Sequence, residues 1–140
     1  MSAPRRIPIK ADPRVRILIA DDHEVVRSVV RTALEQQIHF EVCADVADGA
    51  KAVEQAQKLK PDVVVLNISM PIMGGFDAAR EIKTILPETA IVILSSNADK
   101  RFVQEARTIG ARAYVTKTAG QELVRAIETV MTGGDFLLIE

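Results

Sequence analysis

The sequence has a single cysteine and no apolar run long enough to cross a membrane. Cys43 has no second cysteine with which to form an intramolecular disulfide, which suits a reducing compartment, and its apolar neighbours favour a small buried side chain. A membrane helix needs about 20 consecutive apolar residues. The basic residues near the N-terminus are not followed by the apolar segment of a secretion signal. The sequence therefore predicts a soluble, cytoplasmic protein.

An excess of either charge is also missing. The chain has 18 Lys and Arg against 19 Asp and Glu, mixed along its length, so it has no general signal for binding nucleic acid or an anionic membrane. With 140 residues, 48% of them hydrophobic, it is long enough for one domain with its own core. We expect a flexible N-terminal tail over 1–13, one domain over 14–134, and a C-terminal tail or the start of a linker over 135–140.

The stretch PDVVVLNISMPIMGG, residues 61–75, is the centre of the predicted fold. Val63–Leu66 shows no polar alternation, which is typical of a strand buried on both faces of a parallel sheet. Pro61, which has no N–H to donate, marks the entry to this strand. Asn67 then stands at the carboxyl end of the strand, where ligands bind in open α/β sheets. Asn67 is therefore a candidate site residue.

Strands and helices alternate along the rest of the chain. Hydrophobic patterns and turn residues predict strands over Val15–Ala20, Phe40–Val46, Val63–Leu66, Ala90–Ser95 and Ala111–Lys117. They predict helices over Glu24–Gln37, Ala50–Lys60, Phe76–Leu86, Asp99–Ile109 and Gln121–Met131. Short connections between them favour a parallel sheet with helices on both faces.

The same patterns predict which side chains face the sheet. In the first helix these are Val25, Val29 and Leu34, and in the third helix the buried stripe runs to Ile85. The fifth strand is more polar than the others, so we expect it at the edge of the sheet. No element is predicted for the short apolar segment Phe136–Ile139.

Polar side chains from four strand ends should meet at one rim of this sheet. They are Asp21, Asp22, Asn67, Ser95 and Lys117. Two carboxylates and an amide oxygen are the hard ligands that Mg²⁺ prefers. A lysine and a serine hydroxyl can both bind a phosphoryl oxygen. Together these residues predict a phosphoryl-acceptor site.

Four ordered motifs carry a family resemblance: ILIADDHEVVR, PDVVVLNISMPIMGG, IVILSSNADK and GARAYVTKTAGQELVRAI. Over 14–134 the chain resembles a bacterial two-component response-regulator receiver domain, most closely the NarL/FixJ subgroup. The resemblance implies a flavodoxin-like (βα)5 doubly wound parallel sheet with strand order 2-1-3-4-5. It also implies a signalling module that is not an enzyme.

Site roles follow from the resemblance residue by residue. Asp21 and Asp22 match the acidic pair that holds Mg²⁺, and Ser95 matches the hydroxyl switch residue. Tyr114 matches the aromatic switch, and Lys117 matches the phosphate-binding lysine.

The departure from the family pattern is Asn67, which stands where the family has a phosphorylatable aspartate. A carboxamide is a far poorer nucleophile than a carboxylate, so conventional phosphorylation is expected to be lost or disabled. With one carboxylate fewer, Asp22, Asn67 and the backbone carbonyl of Ser69 should hold Mg²⁺ only weakly. Natural divergence, an engineered inactive variant and evolution prone to deamidation are three open explanations of this residue.

The leading hypothesis is a receiver module that acts by switchable protein contacts. One alternative is a receiver fragment of a DNA-binding transcriptional regulator, and another is a Mg²⁺-dependent phosphotransfer domain with Asp21 or Asp22 as its nucleophile. A purely structural alternative is an ionic rim in which Lys117 bridges the two acids. His23, which follows them, is interpreted as a solvent-facing residue at a helix start.

Expected partners follow from the same hypothesis. They are a sensor histidine kinase or another signalling protein, with DNA bound only through an output domain that this chain does not contain and with no membrane contact. By analogy, a homodimer would form through helix 4, strand 5 and helix 5, or through helices 1 and 5.

Overall fold

The structure is a computed structural model and describes residues 14–97, 99–116 and 120–137. Within these ranges the strands are β1 (Val15–Ala20), β2 (Phe40–Val46), β3 (Val63–Asn67), β4 (Ala90–Ser95), β5 (Ala113–Thr116) and β6 (Phe136–Leu137). The helices are α1 (Glu24–Glu35), α2 (Gly49–Leu59), α3 (Gly75–Ile85), α4 (Lys100–Thr108) and α5 (Gly120–Met131). None of these helices combines the length and the apolar character needed to span a membrane.

All strand pairs are parallel, and the sheet order is β2-β1-β3-β4-β5-β6. The flavodoxin-like α/β fold and the predicted order 2-1-3-4-5 are confirmed. The chain leaves β1 for the β2 edge and then returns to β3 on the other side of β1. Ligands bind at such a reversal of strand order in doubly wound sheets. The carboxyl ends of β1 and β3 therefore define the candidate site.

Two hydrophobic clusters cover the two faces of the sheet. Ile17 and Ile19 of β1 belong to the cluster under α1 and α5, whereas Leu18 and Ala20 belong to the cluster under α2, α3 and α4. Successive residues of a strand point to opposite faces, so a central strand needs apolar residues at every position. This explains the unbroken apolar runs in the sequence.

The predicted inward face of α1 is wrong at two positions. Val25 and Val29 are 75% and 61% exposed, whereas Val30 and Leu34 are buried. The helix carries one pair of valines at positions 25 and 29 and another at positions 26 and 30. The apolar spacing is therefore compatible with either of two helix faces packing on the sheet. The buried face is the one on which Val26 also packs, with the same four-residue spacing to Val30 and Leu34.

Two further expectations about burial are wrong. Ile85, in the last turn of α3, is exposed, and the buried residues of that helix are Gly75, Ala78, Ala79 and Ile82. β5 is not the edge of the sheet, because β6 pairs with its outer side. Most of β5 is accordingly buried.

The alternative faces of α1 lead to a paired prediction. Val30→Ala should lower the free energy of unfolding by roughly 1.5–2.5 kcal/mol, because Val30 is only 7% exposed and its methyl groups leave a cavity. Val29→Ala should change it by less than about 0.5 kcal/mol, since the side chain is already in water. Urea unfolding of both variants measures the difference, and equal losses would contradict this assignment of faces.

Candidate functional site

Three polar side chains are buried where adjacent strands end. Asp21 follows β1, Asn67 ends β3 and Ser95 ends β4, and they are 1%, 5% and 5% exposed. Buried polar groups are costly unless they are hydrogen-bonded, so each position needs partners built by the surrounding chain. The structure thus brings these three predicted residues to one rim. Lys117 lies outside the described residues.

Asn67 contacts Asp22 and the backbone carbonyl of Ser69, the two groups that were expected to bind a cation together with it. Its Nδ2 donates to Oδ1 of Asp22 at 3.3 Å and to the backbone carbonyl of Ser69 at 2.8 Å. A carboxylate at this position could make neither bond, because it has no hydrogen to donate. The carboxamide therefore satisfies the two oxygens with N–H groups.

This arrangement tests the fit of a divalent cation. Asp21, Asp22 and the carbonyl of Ser69 are oxygen ligands of the kind Mg²⁺ accepts. Asn67, however, turns its N–H₂ group toward two of these oxygens, and an N–H group cannot ligate a cation. The donor set does not fit Mg²⁺ while Asn67 is bonded in this way.

His23 joins the acidic pair. Its backbone N–H donates to Oδ1 of Asp21 at 2.9 Å, and its ring Nδ1 lies 3.2 Å from that oxygen and 3.3 Å from Oδ1 of Asp22. One ligand atom from each of the three residues lies within 4.8 Å of the others. The expected exposure of His23 is confirmed, since the side chain is 64% exposed. Its contact with both carboxylates was not foreseen.

Arg27 is a site-supporting residue that sequence reasoning missed. Its Nη1 donates to the backbone carbonyl of Asp21 at 2.8 Å, and its Nε donates to Asp45 of β2 at 3.0 Å. Arg31, one turn later on α1, donates to the other oxygen of Asp45. The only signal in the sequence is the four-residue spacing of the two arginines, which places both on one helix face. The end of β1 is thereby tied to α1 and β2.

The charge state of Asp45 depends on these two arginines. Burial raises the pKa of Asp45, but hydrogen bonds from Arg31 and Arg27 oppose it, and the pKa of the carboxyl lies below its ordinary value. The hydrogen bond to Asp45 also raises the pKa of Arg31. Both groups are therefore charged at neutral pH.

We expect Asp45 to stabilise the fold in a pH-dependent way. A carboxyl with a lowered folded-state pKa contributes stability above its unfolded pKa of about 3.9, and this contribution is lost as the pH falls through the folded value. The free energy of unfolding of the parent should exceed that of Asp45→Asn at pH 7, and the gap should shrink from about pH 4 downward. Glu54→Gln, at an exposed helix position, is the control and should follow the parent. A constant gap for Asp45→Asn would contradict the prediction.

The loop after β3 is held between two glycines. The N–H of Gly49, at the start of α2, donates to the carbonyl of Met73 at 3.0 Å, and the N–H of Gly75 donates to that of Ile68 at 2.8 Å. An added Cβ would lie 2.2 Å from the Met73 oxygen in the first case and 2.1 Å from the backbone oxygen of Asn67 in the second. Both helices therefore approach the loop more closely than any side chain permits.

Gly75→Ala should destabilise the protein by about 3 kcal/mol, because its Cβ would collide with the backbone of the residue at the centre of the site. Gly74→Ala is the control. Its Cβ would meet nothing closer than the Ile68 oxygen at 3.1 Å, and the expected cost is about 1 kcal/mol or less. Thermal and urea unfolding compare the two variants. Similar losses would contradict the close approach of α3 to β3.

Ser95 and Tyr114 meet at one loop residue, Asn97. Oγ of Ser95 accepts from the backbone N–H of Asn97 at 3.1 Å, and the hydroxyl of the fully buried Tyr114 donates to the backbone carbonyl of Asn97. Burial raises the pKa of Tyr114, so its hydroxyl stays protonated and able to donate. Asp99 then caps α4 by accepting from the N–H of Arg101. The loop after β4 is thus tied to both predicted switch residues.

Comparison with known proteins agrees with this fold. Residues 17–128 match the family described as the response regulator receiver domain. The chain belongs to the receiver domain family. It is 34% identical to the transcriptional regulatory protein DegU of Brevibacillus brevis over an alignment of 125 residues. The alignment covers 89% of this chain and 53% of that protein. It is 38% identical over 125 residues to the oxygen regulatory protein NreC of Staphylococcus aureus, covering 88% and 58% respectively. The predicted family is confirmed.

Solved structures of receivers superpose closely. A LuxR-family two-component response regulator from Aurantimonas matches with a TM-score of 0.85 and 33% identity over 89% of each chain. The signal receiver domain of a NarL response regulator from Mycobacterium tuberculosis matches with a TM-score of 0.81 and 30% identity, over 86% of this chain and 98% of that one. The receiver chain spans about half the length of the regulatory proteins DegU and NreC.

Proposed function

We propose that this receiver domain acts by switchable contacts with other proteins and that phosphorylation at the central strand is lost. The observation that carries the proposal is the bonding of Asn67. Its side chain donates to Asp22 and to the carbonyl of Ser69, so the group at the phosphoacceptor position is engaged as a hydrogen-bond donor.

The chemistry of the carboxamide supports this proposal. An acyl phosphate forms when a carboxylate oxygen attacks phosphorus and the donor's leaving group departs with its electron pair. The amide oxygen is neutral and a weaker nucleophile, and the amide nitrogen has its lone pair delocalised into the carbonyl. Asn67 therefore has no atom suited to the attack.

The absence of a carboxylate charge at position 67 also disfavours phosphorylation. A divalent cation at this rim would neutralise charge and orient a phosphoryl donor, and its affinity depends on the number of carboxylates. Asp21 and Asp22 remain, with Ser69 supplying a carbonyl, so weak Mg²⁺ binding is proposed. That binding would require Asn67 to give up its bonds to Asp22 and Ser69.

Switching is assigned to the loop after β4. Tyr114 and Ser95 both bond Asn97, and two arrangements of this loop would present different surfaces near α4 and β5. A ligand shifts such an equilibrium only by its difference in affinity for the two states. In this protein the bias comes from a protein partner or a second copy of the chain.

The surface of α1 supports a protein partner. Val25 and Val29 are exposed one turn apart on a helix that begins beside the acidic pair, and exposed apolar pairs of this kind are common in contact surfaces. A sensor histidine kinase or another signalling protein is the proposed partner. The α4/β5/α5 face and the α1/α5 face are the proposed surfaces for a homodimer.

The share of the relatives' length that this chain covers supports a second role. The chain aligns with roughly half of regulators whose names describe transcriptional regulation. We propose that it serves as the receiver part of such a regulator, with DNA bound only by an output domain outside this chain. In that role it is a regulatory module and not an enzyme.

The test is incubation with Mg²⁺ and acetyl phosphate, followed by intact mass measurement. The parent should stay unmodified and Asn67→Asp should gain one phosphoryl group, since a single change restores the carboxylate nucleophile. Asn67→Ala is the matched control and should stay unmodified.

Other outcomes separate the alternatives. A phosphorylated parent contradicts the proposal, and peptide mapping to Asp21 or Asp22 would support a phosphotransfer domain instead. If Asn67→Asp also stays unmodified, the pocket differs from a working receiver at further positions, which strengthens the role in protein contacts.

A further inference from the structure

The sixth strand lies beside Tyr114. β6 runs parallel to the outer side of β5, with Phe136 opposite Ala113 and Leu137 opposite Tyr114. The N–H of Phe136 donates to the carbonyl of Arg112 at 2.8 Å. An uncovered edge strand presents free backbone groups that pair with other chains. Here the chain's own C-terminal segment covers part of that edge.

Arg112 anchors the turn that leads into β6. Its Nε donates to Asp135 at 2.5 Å, and its Nη2 donates to the carbonyls of Gly133 and Gly134, each at 2.9 Å. Gly133 has a φ of +93°, a backbone conformation that glycine adopts without strain. One guanidinium thus sets the position from which the short strand starts.

The two residues of β6 pack on opposite faces of the sheet. Phe136 packs against the cluster under α1 and α5, whereas Leu137 packs against the cluster that contains Tyr114. Both side chains are only half-buried. A two-residue strand has few contacts of its own, so its docking depends strongly on each of these neighbours.

We propose that β6 is a strap whose docking is coupled to the loop after β4 through Tyr114. Leu137 packs beside Tyr114, Tyr114 bonds the carbonyl of Asn97, and the N–H of Asn97 bonds Ser95. A rearranged Tyr114 would remove the packing that holds Leu137, and an undocked β6 would in turn weaken the buried position of Tyr114. Coupling between two sites is reciprocal in this way.

The inference deepens the proposed function and rests on it for the identity of the switch. It connects the site rim to β6, the outermost strand on that side among the described residues. Release of β6 uncovers the edge of β5, so the contact surface near β5 would change together with the loop. The coupling itself does not require phosphorylation of Asn67.

The test uses the full chain labelled with ¹⁵N and measures amide hydrogen exchange and backbone chemical shifts. Leu137→Ala should speed exchange of the Phe136 amide about fivefold, the effect of about 1 kcal/mol, and should shift the amide signals of Ser95 and Asn97. Tyr114→Phe, which removes only the hydroxyl bonded to Asn97, should also speed exchange at Phe136.

Phe136→Ala is the matched control because it loosens the same strand from the other face. It should speed exchange within β6 and, because it leaves the Leu137 side chain in place, shift the Ser95 and Asn97 signals less than Leu137→Ala does. Equal shifts in the two alanine variants, or none in Leu137→Ala, would overturn the coupling, as would unchanged exchange in Tyr114→Phe. Circular dichroism confirms that each variant is folded. Since no phosphoryl donor is used, failure here is distinct from failure of the acetyl phosphate experiment.

Discussion

The complete burial of β3 is the constraint on which the rest of the structure depends. Val63–Leu66 are apolar on both faces, so the strand requires helices above and below it. Its buried backbone N–H and C=O groups require a paired strand on each side. β1 pairs on one side, where Ala20 lies opposite Leu66, and β4 pairs on the other, where Asn67 lies opposite Leu94. The strand ends that carry Asp21, Asn67 and Ser95 are therefore adjacent because the hydrophobic core places them so.

Asn67 gives this rim different electrostatics from those that a carboxylate would give it. A carboxylate at this position would add negative charge beside two other acidic side chains in a largely buried place, and like charges close together disfavour one another. The carboxamide removes that charge and donates to Oδ1 of Asp22 and to the backbone carbonyl of Ser69. This bonding is the observation on which the proposed role in protein contacts rests.

The structure also shows how a polar rim is linked to distant elements. Arg27 joins the end of β1 to Asp45 on β2, and Gly75 lets α3 begin against the backbone of Asn67. Toward the β5–β6 end of the sheet, Tyr114 joins the loop after β4 to β5 and its neighbour β6. Each link uses a backbone group, so movement at the rim changes main-chain positions.

Local signals in the sequence were sufficient to predict the first five strands, the five helices and the residues at the strand ends, because unbroken apolar runs, helix spacing and turn residues depend on neighbours in the chain. The strand order was implied by the resemblance to receiver domains. Gly110, just past the end of α4, has a φ of +90°, a backbone conformation that glycine adopts without strain. The choice between the two valine faces of α1 depended on what lay beneath the helix, and the partners of Arg27 lie on another strand. The pairing of β6 depends on β5, which supplies its hydrogen-bonding partners. Only the tertiary structure decided these features, since each arises from contacts between residues far apart in the chain.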